Sequence, residues 1–514
     1  MGCLRIRKIQ GAMIALLAVS ALAVGPAGAQ TQVNDKWITV VLPAEPPDID
    51  GCYSSSSLQG RMIKQNVVET LLNKDQKTGA ISPRLATSWD QSDPNTWRIK
   101  LRQDVTFHDG SRFNADAVKK SIDRSAIKAL ICTVRQRYFG DIESEVSMID
   151  EYTLQIKTTR PEPTMPIRLA GVTIDGPNEP VDKRSLAPVG TGPYAFDSWQ
   201  PGQQILLKRN DKYWGAKPQA EGARYLWRAE SSVRAAMVKI GEADIALSIA
   251  QQDANDPKLD FSYLDSNTTF LRIDPAIPPL NDKRVRLALN YAIDRASAIG
   301  SVLPKDAIQA TQVVFPPIPG HNHELDKRPY AYDPAKARQL LAEAKAAGVP
   351  VETEIRVVGA PFHFPNSNEL MEAYMAMYKA AGFNMKLVNI EPGQYAQWSR
   401  KPFAADRPPN LLQVSHDNNV GDPVFSVIFR YGCEAASSTL CDPAFEAEVN
   451  RVGGLSGEER VKGWQNVFRT LYEDIVPDVM MYHMVGFTRV SPRIVYVPDA
   501  AANAEVHIQK VTFK

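Results

Sequence analysis

The chain has 514 residues, with 59 Lys and Arg against 58 Asp and Glu, a formal net charge of +1. That balance gives no reason to expect nucleic acid, which favours a strongly basic face. An ordinary apolar fraction without low-complexity tracts places the chain among globular proteins, and its length exceeds one core, so two or three domains are expected.

In chain order, Arg5, Arg7 and Lys8 open a positive start, an apolar stretch follows from Gly11 to Val24, and Ala27-Gly28-Ala29 comes after the breakers Gly25 and Pro26. This is the three-part pattern of a cleaved secretory signal over 1–29, with the cut after Ala29. The apolar run is shorter than the roughly 20 residues of a membrane span. Removing it takes away three positive charges and Cys3, leaving a charge of −2 and four cysteines. An even number in an exported chain suggests disulfides, because that compartment is oxidising. Cys433 and Cys441 are close enough for a small stapled loop; Cys52 and Cys132 would then form the second pair by elimination, with free buried thiols as the alternative for that pair. Neither pair has CxxC spacing.

Strands come next: Trp97, Ile99 and Leu101 alternate with polar residues, as do Leu154 and Ile156, and Ile205-Leu206-Leu207 is a more buried run. Asp109-Gly110 signals a turn. Proline-bearing breaks near 160–166, 275–279 and 316–319 are candidate boundaries. A helix is predicted from Asp333, a cap followed by Pro334, to Ala347, with Gly348 ending it. Others are predicted over Asn368–Ala381, before a strand with Phe383, Met385 and Leu387, and over Glu458–Ile475. Alternating helices and strands make the fold class α/β.

Catalytic signatures are missing: there is no Walker loop, HExxH pair or GxSxG elbow. Gly190-Thr191-Gly192 begins like a dinucleotide loop, but Pro193 disfavours the helix that would hold phosphates. His321 and His323 flank Asn322 in a Pro/Gly-rich loop; with no third ligand evident nearby, a solvated loop is favoured over a metal site. No cofactor is called for. Unmarked carboxylates leave an exported hydrolase as a minority alternative.

Several segments then form an ordered series. Pro83–Trp89, Trp97–Arg102 and Val105–Gly110 are followed by Val189–Tyr194, Asn210–Trp214, Gly241–Asp244, Pro279–Arg286, Ala292–Arg295 and Tyr332–Ala337. Together they resemble the family 5 extracellular solute-binding proteins, the group of dipeptide, oligopeptide and nickel receptors of ABC importers. Most of these residues read as framework: Trp89, Trp97 and Phe107 as core aromatics, Asn281 or Asp282 as a helix cap.

The resemblance implies a two-lobed periplasmic fold with a hinge, the ligand enclosed between the lobes. Lobe I would cover 30–273 with an inserted subdomain near 82–185, lobe II 274–488, and 489–514 would return to lobe I. The crossings would fall near Ile273–Asp274 and Thr488–Arg489. It further implies a monomer in the periplasm, no catalysis, and an inner-membrane ABC permease as partner. For the site it points to Gln413–Pro423, where relatives hold a peptide ammonium. Asp417 is the best match and Asp422 the rival or a helix cap, with His416 and Asn418 beside them. Trp398 near the cleft, Tyr53 and Ser55 in lobe I, and the Thr191-Gly192 loop complete the ligand-binding set. The stretch Val357–Pro365 has no arginine where dipeptide receptors resemble one another in having a carboxylate clamp. Longer peptides or amino-acid conjugates such as opines are therefore favoured over a standard dipeptide. The alternative is a receptor for a metal chelate, using His363 and His416, or for another small solute.

Overall fold

The computed structural model describes residues 34–54, 60–75, 80–140, 142–418, 421–498 and 505–514. The expected leader over 1–29 and Ser55 lie outside these residues. The fold is mixed α/β, built around a sheet of eleven strands.

Two long strands organise that sheet. Asp260–Ile273 and Asp478–Val490 pair antiparallel through most of their lengths. The second borders Ile245–Ala246, which leads to the parallel pair Trp37–Leu42 and Gly222–Trp227, and then to the hairpin of Gln204–Arg209 and Tyr194–Gln200. The first borders Asn410–Asp417, and beyond it lie the parallel strands Ile355–Gly359 and Met385–Asn389. Trp37–Leu42 is buried throughout, Thr39 included, as a parallel strand covered on both faces should be. The sheet thus divides into two halves hung on two shared strands, the two-lobed architecture expected. Their ladder shifts register between Leu264 and Thr268. Ile273 and Thr488, beside which the crossings are expected, lie at or near the C-terminal ends of the same strands.

Within the stretch 82–185 stands a separate four-stranded antiparallel sheet, ordered Ala86–Asp93, Thr96–Leu101, Thr153–Thr158, Ser144–Asp150. Trp97, Ile99 and Leu101 are buried and Arg98 and Lys100 exposed, matching the alternation in sequence. The Trp97 indole donates to the Glu162 carbonyl at 3.0 Å, which satisfies the polar edge of a buried ring.

The helices follow their caps. Pro334–Ala346 starts at Asp333, whose carboxylate accepts from the Lys336 amide at 2.8 Å. It ends before Gly348, at φ +84°. Asp282, rather than Asn281, caps Lys283–Tyr291. The helix expected over 458–475 is α-helical only through Gly457–Arg469 and winds wider over Thr470–Ile475. Trp464, Phe468 and Leu471 nonetheless stay buried in line. Cys52 is bonded to Cys132 and Cys433 to Cys441, as expected. Among the described residues no helix is long and apolar enough to cross a membrane.

One apolar core cluster draws on both halves. Tyr138 and Phe139 from the first pack with Phe425, Tyr431 and Trp464 from the second. The Tyr138 and Phe425 rings lie edge to face, 5.8 Å apart, and the Arg168 guanidinium sits 4.9 Å from the Phe425 ring.

Candidate ligand cleft

Where the halves face each other, oppositely charged side chains meet. Asp417 ends the strand Asn410–Asp417. Its Oδ2 is paired with Arg61, from the short 3-10 turn Gly60–Ile63 of the other half. Arg137, on the helix Thr133–Phe139, lies 3.4 Å from the same oxygen and donates to the Asp417 carbonyl at 2.5 Å. Ser266 donates to Asp417 Oδ1 at 2.8 Å from the crossing strand. Two guanidiniums from one half thus converge on a carboxylate from the other.

Burial sets the electrostatics of this cluster. It pushes Arg61 down to about 10, with the neighbouring Arg137 adding to the effect. Arg137 is lowered by burial as well. Asp265 is pushed up to about 6 by burial, against the hydrogen bonds from Asn267. Lys74 also reaches this face: burial pushes it down to about 8, opposed by Asp422.

Local bonding places Arg137. Cys132 caps its helix and is bridged to Cys52, while Thr133 donates to the Tyr53 carbonyl at 2.7 Å. Tyr53 is therefore held beside this helix, its ring covered by the Arg184 guanidinium at 3.5 Å.

The other expected site residues have different surroundings. Asp422 caps Pro423–Tyr431 by accepting from Val424 at 2.9 Å and pairs with Arg460 at 2.7 Å, both within its own half. His416 accepts at Nδ1 from Arg430 at 3.1 Å, so its Nε2 hydrogen goes to Ser426 at 2.8 Å. With both nitrogens used and its pKa held well below the usual range, chiefly by burial, it is a neutral framework imidazole. Asn418 receives the Ser426 hydroxyl and donates to Thr268 and to the Ser266 and Val313 carbonyls. The Thr191 hydroxyl donates to Glu69 at 2.8 Å, and the Gly192 carbonyl accepts from His108 and Asn210. Trp398 lines a cavity of about 420 Å³ with Arg356, Arg407 and Asn410. Asn410 begins the strand that Asp417 ends, roughly 20 Å away at the usual rise per residue. The structure therefore joins Tyr53 and Asp417 through the Arg137 helix, keeps His416 and Asn418 beside Asp417 in framework hydrogen bonds, and sets Asp422, Thr191, Gly192 and Trp398 in other surroundings.

Sequence reading missed Arg61, Arg137 and Lys74, which have no motif of their own. The one available signal was Cys132: pairing it with Cys52 brings the helix after it beside Tyr53.

The sequence profile of the bacterial extracellular solute-binding proteins, family 5 (Middle), matches residues 80–437. The dipeptide-binding protein of Escherichia coli K12 is 26% identical over 466 residues, 82% of this chain and 84% of that protein. Among solved structures, the ABC transporter-associated periplasmic binding protein DppA of Helicobacter pylori with peptide STSA superposes with a TM-score of 0.79 at 21% identity, covering 93% of this chain and 98% of that one. NikZ of Campylobacter jejuni with Ni(L-His) gives 0.74 at 22% identity, with 90% and 96% covered.

Proposed function

The chain belongs to the family 5 bacterial extracellular solute-binding proteins, and we propose that it is the periplasmic substrate-binding component of an ABC importer for a peptide or related amino compound. The observation that carries the ligand class is the cluster Arg61–Arg137–Asp417. It sets two cations of one lobe against one carboxylate of the other, with the crossing strands as the hinge between them. A zwitterionic end matches both sides: its ammonium replaces an arginine at Asp417, and its carboxylate takes the guanidiniums in charge-assisted hydrogen bonds. Closure is then favoured by the ligand's differential affinity for the closed form. The permease reads that form, and this chain performs no covalent chemistry. Tyr53 and Asp417 are the contacts retained from the sequence reading.

A thermal-shift screen of refolded protein against peptides, opines, sugars and metal chelates tests the reading. A ligand at about 100 times its Kd stabilises the fold by about 2.7 kcal/mol. The expected hit is an amino-bearing ligand, its shift lost in Asp417→Asn and its radius of gyration by small-angle scattering lower than without ligand. A hit confined to chelates would replace the amino compound by the metal-chelate alternative, and turnover of a peptide or glycoside would point to the hydrolase. NikZ, whose structure holds Ni(L-His), keeps the chelate in the screen. His416 offers it no free nitrogen.

A further inference from the structure

We propose that His321, His323 and Asp326 form a binding site for a divalent transition-metal cation, with Zn²⁺ as the reference ion. His321 lies just before the one-turn helix His323–Asp326, whose first and last residues complete the set, and the ligand atoms all fall within 4.8 Å of one another. His321 Nε2 is 2.8 Å from Asp326 Oδ2, and His323 Nδ1 is 3.4 Å from the same oxygen. Two ligands bound at zinc distances subtend about 3.3 Å at a tetrahedral angle and somewhat less at a right angle, so the two separations from Asp326 suit one shared ion, and rotation of the exposed His323 ring brings the imidazole pair within the same reach.

The surroundings of His321 select a cation. Its side chain is buried, and its Nδ1 donates to the Val314 carbonyl at 2.9 Å, which leaves the Nε2 lone pair aimed at the carboxylate. Gln312 Nε2 lies 3.2 Å from that nitrogen, but its two hydrogens have takers in Thr311 Oγ1 and the Asn322 carbonyl. A lone pair facing a carboxylate at 2.8 Å needs positive charge between them. A proton would serve one imidazole; a metal serves both. The outer contacts follow the same logic: Val314 fixes the tautomer and Thr311 orients the carboxylate by donating to Asp326 Oδ1 at 2.9 Å.

A second observation lies behind the cluster. The fully buried His483 ring is centred 5.9 Å from that of His321, and its Nε2 has no hydrogen-bond partner among the described residues. A buried orphan imidazole nitrogen beside three convergent ligands is a natural partner for a metal-bound water. His323 is exposed, so the ion can enter from solvent and retains an open coordination position there. None of these residues bonds Asp417, Arg61 or Arg137, so the site stands apart from the amino-compound reading.

The test is calorimetric titration of tag-free, chelator-stripped protein with Zn²⁺, repeated with Co²⁺ while recording its visible absorption. The expected result is one ion per chain, weakened roughly tenfold or more in His323→Ala and in Asp326→Asn, and by about tenfold in Thr311→Val. His323 is a surface residue, so its variant should keep the metal-free melting temperature and isolate binding from folding. Absence of one-to-one binding, or wild-type binding in folded His323→Ala, would overturn the proposal and leave an imidazolium–carboxylate pair. Either result is independent of the ligand screen, which reads Asp417.

Discussion

Arg124 holds Asp50 and Asp175 at 2.6 and 3.2 Å, while Arg61 and Arg137 hold Asp417. Both clusters are buried arginine–aspartate networks, and the Cys52–Cys132 bridge lies next to each. They differ in where their members come from. Arg124, Asp50 and Asp175 belong to one half, and Asp50 is further tied down by the amides of Cys52 and Ser185 at 3.0 and 2.7 Å. That network is dry whenever the half is folded. Asp417 and its arginines come from opposite halves, 356 and 280 residues apart. On the proposed reading, bending at the crossing strands would expose all three to water, and the cost of an unpaired charge would disappear with its burial. The same chemistry is therefore framework in one place and, on that reading, a latch in the other.

The sharpest way to break this contrast is to remove one arginine from each. Arg124→Ala should cost about 3–5 kcal/mol in urea unfolding, because two carboxylates lose their partner without a route to solvent. Arg61→Ala should cost under about 1 kcal/mol, the range of solvent-accessible pairs, yet raise the radius of gyration. Equal losses of stability in the two variants would erase the distinction.

Next is the bridge between the clusters. Replacing Cys52 and Cys132 by serine should cost about 4 kcal/mol, since the loop it closes is long. It should also weaken ligand binding by freeing the helix that carries Arg137. The shorter Cys433–Cys441 loop should contribute roughly 2–3 kcal/mol and leave ligand affinity unchanged.

A smaller effect separates the two candidate aspartates. Asp422→Ala removes a helix cap and should cost about 1–2 kcal/mol, with the ligand-induced melting shift retained. Loss of that shift would return Asp422 to the ligand.

The smallest effect is pH-dependent. Asp478, on the second crossing strand, receives the Tyr431 hydroxyl at 2.7 Å, and burial pushes its pKa up to about 7. Its folded-state pKa exceeds the unfolded one, so its stabilisation is complete in acid and is lost as pH rises through 7. Stability should fall by about 1 kcal/mol between pH 6 and 8, and Asp478→Asn should flatten the slope. His363 and His483, pushed down to about 3 by burial, act on the acid side. There the unfolded chain takes up protons below about pH 6.5.

Local chemistry explains what was legible in sequence. The Asp333 cap, Gly348 stop and apolar stripe of Pro334–Ala346 are decided within one helix. The Trp97–Leu101 alternation is decided within one strand. The cysteines were legible because few pairings exist among four. The cleft was not, because Arg61 and Arg137 look like surface cations until the fold carries Asp417 across to them. Asp326 was likewise hidden as a third donor beside His321 and His323, since only the turn of a helix brings it onto the same side. The break at Arg469 had no marker either: the stripe through Trp464, Phe468 and Leu471 continues across it.

The pairing of the two crossing strands also bears on the order of folding. Arg489 binds Asp260 across 229 residues of chain, and closing a loop of that length costs about 5 kcal/mol in chain entropy. That contact becomes favourable only once the intervening half has gathered itself and shortened the effective loop. The second lobe should therefore acquire protection from amide hydrogen exchange before the ladder that carries it, so that the hinge is the last element to lock and the first to open.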